Sequence, residues 1–243
     1  MKKMLLVETK LYLRDWPSLA FSIALPVVLL VVLGLTIPGM GEATETGERF
    51  VDAQWPSLMV LLSLLTLVCS VLPAVLTTYR EQGVLRRMST TPVSPARMLT
   101  VQLVINLAVA VVATAILVVG TMLVFDAAPP GQWPGFVLVF LLGTAALMAM
   151  GLVIAALAPN GKAAPGIGSL VMFPLMFVAG MWIPRQAMPD ALRTVSDYSV
   201  AGPFAQALKD TWAGHAPQPL HLIVMAAGLV VFGGLAVRLF RWE

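Results

Sequence analysis

Residues 55–88 read WPSLMVLLSLLTLVCSVLPAVLTTYREQGVLRRM, and the change of character inside that stretch decides the fold. From Trp55 to Thr78 no residue is charged, whereas Arg80, Glu81, Arg86 and Arg87 follow in one short run. A helix rises about 1.5 Å per residue and the hydrocarbon core of a bilayer is about 30 Å thick, so roughly 20 apolar residues make one crossing. The stretch predicts a membrane span that ends in a charged turn at the water boundary.

Five further stretches have the same character. With Trp55 to Thr78 as the second, the expected spans are Leu19 to Ile37, Met98 to Phe125, Pro134 to Ala158, Pro165 to Ile183 and Leu220 to Val237. The chain is 59% hydrophobic and 11% charged, against about 25% charged residues in a soluble domain, which excludes a water-soluble fold. The expected fold is an all-α integral membrane protein with six transmembrane helices, and residues 1–243 are expected to form a single domain.

Charge orients the six spans. One side collects Lys2, Lys3, Lys10, Arg14, Arg80, Arg86, Arg87, Arg97, Lys162, Arg238 and Arg241 against Glu8, Asp15, Glu81 and Glu243. The other holds Arg49, Arg185, Arg193 and Lys209 against eight acids. Short loops rich in Lys and Arg stay cytoplasmic, so the first side and both termini are expected in the cytoplasm. The basic balance serves orientation and calls for no nucleic acid. Cys69 is the only cysteine, so no intramolecular disulfide can form.

Residues 1–16 carry six charges and no cleavable leader pattern. Leu5, Leu6, Tyr12, Leu13 and Trp16 fall on one helical face and Lys3, Lys10 and Arg14 on another, which predicts an amphipathic interfacial helix against lipid head groups. In the loop 79–97, Val84, Leu85 and Met88 are spaced to give a short helix one apolar ridge. Thr91-Pro92 stops that helix, and Ser94-Pro95 caps and opens the third span.

These motifs carry a resemblance. Glu81-Gln82-Gly83-Val84-Leu85, followed by Thr91-Pro92-Val93-Ser94, is similar to the E-x-G-[T/V]-L … [S/T]-P-[V/L]-S stretch of ABC-2 type permease subunits, the type V exporters. Ala179-Gly180-Met181-Trp182-Ile183-Pro184, Met188-Pro189 and Gly202-Pro203-Phe204 resemble the family's G-x-x-x-P-x-x-x-x-P … P pattern after the fifth span. Tyr79 and Arg86 stand where many members carry acids.

The resemblance implies that Glu81, Gln82, Gly83, Val84, Leu85 and Met88 form a cytoplasmic coupling helix that docks on an ATPase subunit. It also implies that residues 183–215 form an outer re-entrant hairpin, with Gly180, Pro184, Pro189, Pro203 and Phe204 at an outer gate. A bacterial inner-membrane exporter of a drug, antibiotic or lipid-like amphiphile is implied, with two copies of the ATPase and a second permease copy in a homodimer. ATP and Mg would be bound by the partner and no cofactor by this chain. Gly161-Lys162 is no P-loop, because Ala156 replaces the upstream glycine and no Ser or Thr follows the lysine, so the chain itself is not expected to be an enzyme.

Two other classes are weighed. An ion-coupled carrier places titratable groups inside its spans, and none of the six has an acid or base near its centre. An intramembrane serine protease would need Ser169 and His221 in hydrogen-bond reach, yet they open at opposite sides of the expected bilayer. No Cys or acidic cluster offers a metal site. Ser63, Thr66, Ser70, Thr77, Gln102 and Asn106 are polar on apolar spans, open to two readings: a translocation path or bonds between helices. Gln102 and Asn106, one turn apart near the inner end of span three, are the preferred pair for a path.

Overall fold

The computed structural model describes residues 2–14, 16–42, 49–84 and 95–239, and helices dominate them. In chain order they are α1 (Lys2–Arg14), α2 (Trp16–Thr36), α3 (Gln54–Thr66), α4 (Leu72–Glu81), α5 (Pro95–Phe125), α6 (Trp133–Leu157), α7 (Ala164–Val178), α8 (Asp190–Tyr198), α9 (Ala201–Trp212) and α10 (Pro219–Leu239). Among the described residues, four stretches are long and apolar enough to cross a membrane: Gln54–Glu81, Arg97–Phe125, Trp133–Leu157 and Pro219–Leu239. Two shorter apolar helices, Ala20–Thr36 and Ala164–Val178, occupy the first and fifth expected positions.

The stretch Gln54–Glu81 is the central post. Its most apolar window is 83% buried within the chain, against 22% for Pro219–Leu239, which faces outward along most of its length. It is one helix in two parts, joined by a π-helical turn over Leu67–Val71. Pro73 supplies the cause, since it has no N–H for the carbonyl of Cys69 and its ring crowds that group. The widened turn receives α7, where Gly168 lies so close that an added Cβ would stand 1.6 Å from the Cys69 carbonyl oxygen.

The fifth expected span is shorter than the sequence predicts. Helix α7 stops at Val178 rather than Ile183 because Gly180 takes φ +91. The Gly180 amide then bonds to Phe177 O and the Met181 amide to Met176 O, the paired bonds that end a helix at a left-handed glycine. Helix α5, by contrast, begins at Pro95 as expected; Ser94, its expected cap, lies outside the described residues.

The two ends of the bundle are chemically distinct. At one, Arg49 pairs with Asp52 at 2.7 Å and donates to Phe125 O, while the Trp212 indole donates to Ala128 O. At the other lie α1, the end of α4, the start of α5 and the turn 158–163. Ala236 and Val237, late in α10, line a groove with Leu99 and Leu152, which puts the end of that helix with Glu81 too.

Candidate functional site

Helix α4 ends at Glu81 for a conformational reason. Gly83 has φ +63, which a residue with a Cβ adopts only at a cost, and its amide bonds back to Arg80 O. Gly83 of the E-x-G motif therefore stops the second span and turns the chain aside. Glu81 and Gln82 are exposed there, and Val84 is half-buried. Leu85 and Met88 lie outside the described residues.

Successive residues of a helix point about 100° apart, and the last three of α4 reach three separate elements. Tyr79 donates its hydroxyl hydrogen to Glu8 Oε2 of α1 at 2.7 Å. Arg80 donates to the carbonyls of Ala155 and Ala156, each at 3.3 Å, and to that of Ala158. Those are last-turn oxygens of α6, which lack helical donors and lie at the negative end of its dipole, so a guanidinium suits them. Glu81 accepts the Gly161 N–H at 3.2 Å, in the turn that leads into α7.

That turn sits hard against α4. A Cβ on Gly161 would be 2.4 Å from Thr78 Oγ1, so only glycine permits the approach. Asn160 Oδ1 accepts the Ala163 amide at 2.7 Å and tightens the turn. One turn of helix thus grips α1, the end of α6 and the turn that precedes α7.

The expected amphipathic face of α1 needs one correction. Leu5, Leu6 and Leu13 are exposed, as a lipid-facing surface requires, but Tyr12 is not with them. Tyr12 and Glu8 turn inward, with Glu8 only 8% exposed. Glu8 also accepts from Gln102 Nε2 at 2.8 Å, and Tyr12 donates to Asn106 Oδ1 at 3.1 Å. Gln102 and Asn106, expected as one pair, are brought together; Asn106 Nδ2 donates to Gln102 O at 2.8 Å. Ser63 donates to Ser22 O, and Thr66 and Thr77 donate to carbonyls of their own helix.

At the opposite end, Pro184 and Pro189 are exposed on either side of a single 3-10 turn, Arg185–Ala187, while Pro203 and Phe204 are buried in α9. Phe204 fills the notch left by Gly143 of α6, where a Cβ would lie 2.0 Å from its ring. Arg185 pairs with Asp197, which ties the turn to α8. Burial raises the Asp210 carboxyl above its ordinary range, against the opposing pull of the His221 side chain 4.0 Å away. Ser169 donates to Pro165 O in α7, so the structure commits Ser169 and His221 to different partners and forms no catalytic pair.

Sequence reasoning missed Glu8, Arg80 and Gly161. The signal for Glu8 was its place midway between Met4 and Tyr12 at helical spacing. Nothing local marks Arg80 or Gly161, whose partners lie 75 to 80 positions away.

The fold is that of an all-α membrane protein with its most elaborate polar contacts clustered at the end of one buried helix. The model of the ABC-2 type transporter family matches residues 2–210, and the chain belongs to that family. It is a multi-pass permease component of an ABC transporter, of the kind that works with an ATPase subunit. Neither the curated proteins nor the solved structures give a match.

Proposed function

We propose that this chain is the permease of an ATP-driven exporter that moves an amphiphilic or hydrophobic substrate, such as a drug, an antibiotic or a lipid-like molecule, out of a bacterial cell. Two copies would sit in the inner membrane with two copies of a separate ATPase, and the Glu81 end would face the cytoplasm. The observation that carries the proposal is the triple grip of Tyr79, Arg80 and Glu81. A push on the loop after Gly83 reaches α1, the end of α6 and the turn before α7 at once, because each is bonded to the last turn of α4.

ATPase closure would displace the loop of Gln82, Val84, Leu85 and Met88. The grip carries that displacement to the spans, and the π-turn at Leu67–Val71 is where the central post can bend. The cargo class draws support from apolar grooves on the lipid side, one of about 610 Å³ lined by Leu5, Ile23, Val27, Ile105 and Val109. Gln102 and Asn106, buried on α5 and bonded to Glu8 and Tyr12 of α1, are the proposed polar contacts of the path; the segment from Gly180 to Phe204 would close the outer mouth.

The test is a Glu81→Lys, Gly83→Pro double variant expressed with its ATPase. Insertion and assembly are expected to persist, with ATP hydrolysis no longer linked to export. Normal export by that variant would refute the coupling role.

A further inference from the structure

Among the described residues the buried apolar side chains fall into two groups. Leu72, Leu76, Met98 and Ala155 form a small core at the Glu81 end, whereas Leu67, Val68, Cys69, Val71, Val101 and Ile154 belong to the main core. The border crosses the central post between Val71 and Leu72, α5 between Met98 and Val101, and α6 between Ile154 and Ala155. On the post it falls where the π-helical turn ends.

The hydrogen-bond ladder of the post is interrupted at the same place. An α-helix would give Val68 O the Leu72 amide, but that amide bonds to Leu67 O instead. The next position along is Pro73, which has no N–H, and the same proline deprives Cys69 O of its own α-helical donor. Two glycines cover these carbonyls from neighbouring helices. A Cβ on Gly151 of α6 would stand 2.5 Å from Val68 O, and one on Gly168 of α7 would meet Cys69 O. Their Cα–H groups are weak donors, so the interrupted turn is pinned from outside while the α-helical bonds of Val68 O and Cys69 O are missing from within.

A disturbance spreads along a helix through its ladder and between helices through shared packing. Both routes thin out at this border. On the Glu81 side of it, Arg80 and Glu81 tie α4 to the end of α6 and to the turn 158–163.

We propose that α4, the first turn of α5, the end of α6 from Ala155 and the turn 158–163 form one unit that opens and rearranges together while the main core stays packed, with the π-helical turn as its boundary. Such a unit lets the end of the bundle next to the coupling loop be reshaped without loosening the spans. In making it the part that an ATPase reshapes, the proposal rests on the export reading; the unit itself does not.

Hydrogen exchange of the full chain in phosphatidylglycerol nanodiscs tests it, since an amide exchanges through the least costly opening that exposes it. Two truncations enter the small core from different helices: Met98→Ala from α5 and Leu76→Ala from α4. Each is expected to speed exchange by about thirtyfold or more in Leu72–Glu81 and in 155–163 alike. Gln54–Thr66 and 136–147 are expected to keep the wild-type rate. Acceleration confined to the mutated helix, or spread equally across the π-helical turn into Gln54–Thr66, would overturn the proposal. Leu76→Val is the milder companion in case the larger truncations unfold the chain, with a smaller acceleration expected over the same segments and the same outcomes counting against it. The measurement needs neither ATP nor ATPase, so its failure removes this unit alone, while absence of an ATPase partner would remove the export reading.

Discussion

The Glu81 carboxylate accepts the Gly161 amide hydrogen at 3.2 Å across a sequence separation of 80. The motif at the end of α4 is therefore tied to the turn between α6 and α7. Arg80 strengthens the same joint from the other side through the carbonyls that end α6. Displacement of the loop cannot move the end of α4 without carrying this turn along or breaking the joint.

The closeness of that joint is testable through Gly161. Gly161→Ala places a methyl against Thr78 Oγ1 and is expected to cost about 1–3 kcal/mol, as overpacking does. Thermal unfolding of the purified chain should show the loss. Adding Thr78→Ala removes the obstructing oxygen and should restore most of the stability.

Arg80 acts through a fork of donors that a lysine cannot reproduce. Arg80→Ala is expected to destabilise the Glu81 end by roughly 1–2 kcal/mol, and Arg80→Lys to recover only part of it. Proteolysis between Ala158 and Ala163 in detergent-purified protein reads the effect locally, and equal resistance in all three proteins would contradict the role.

Much of this was legible in the sequence, for identifiable reasons. Uncharged runs locate spans because the bilayer penalises charge, and the start of α5 at Pro95 follows from local backbone chemistry. The break at Gly83 was equally local, but the motif placed Gly83 inside a single coupling helix and hid it. The early end of the fifth span at Val178 was also encoded, in Gly180, but apolar residues continue to Ile183 and hide it. The inward turn of Glu8 and Tyr12 was hidden because Leu5, Leu6 and Leu13, exposed on the other side of α1, complete the amphipathic pattern by themselves. The joints made by Arg80 and Glu81 depend on which helices become neighbours, and no local pattern carries that information.

Gly83 offers a graded test. Its φ of +63 predicts that Gly83→Asn is tolerated better than Gly83→Val, with a difference of about 1–2 kcal/mol set by the left-handed conformation. Among the described residues no heavy atom lies within 4 Å of the position a Cβ would take, so crowding by them is not the obstacle. Matched stability of the Asn and Val variants would contradict the left-handed turn.

Phe204 is the anchor of α9. Its side chain is fully buried against Gly143, and Phe204→Ala is expected to cost about 3–5 kcal/mol through the cavity it leaves. Gly143→Ala is expected to be destabilising as well, and to become milder when combined with Phe204→Leu. Independent, additive effects of the two positions would argue against the packing.

The central claim is that a separate ATPase drives this permease through the loop that follows Glu81. A photoreactive amino acid at exposed Gln82, irradiated in native membranes, tests it most directly. The account predicts a dominant adduct with a protein that carries a P-loop. An adduct formed only with proteins on the outer side of the membrane, or none with such an ATPase, would contradict it.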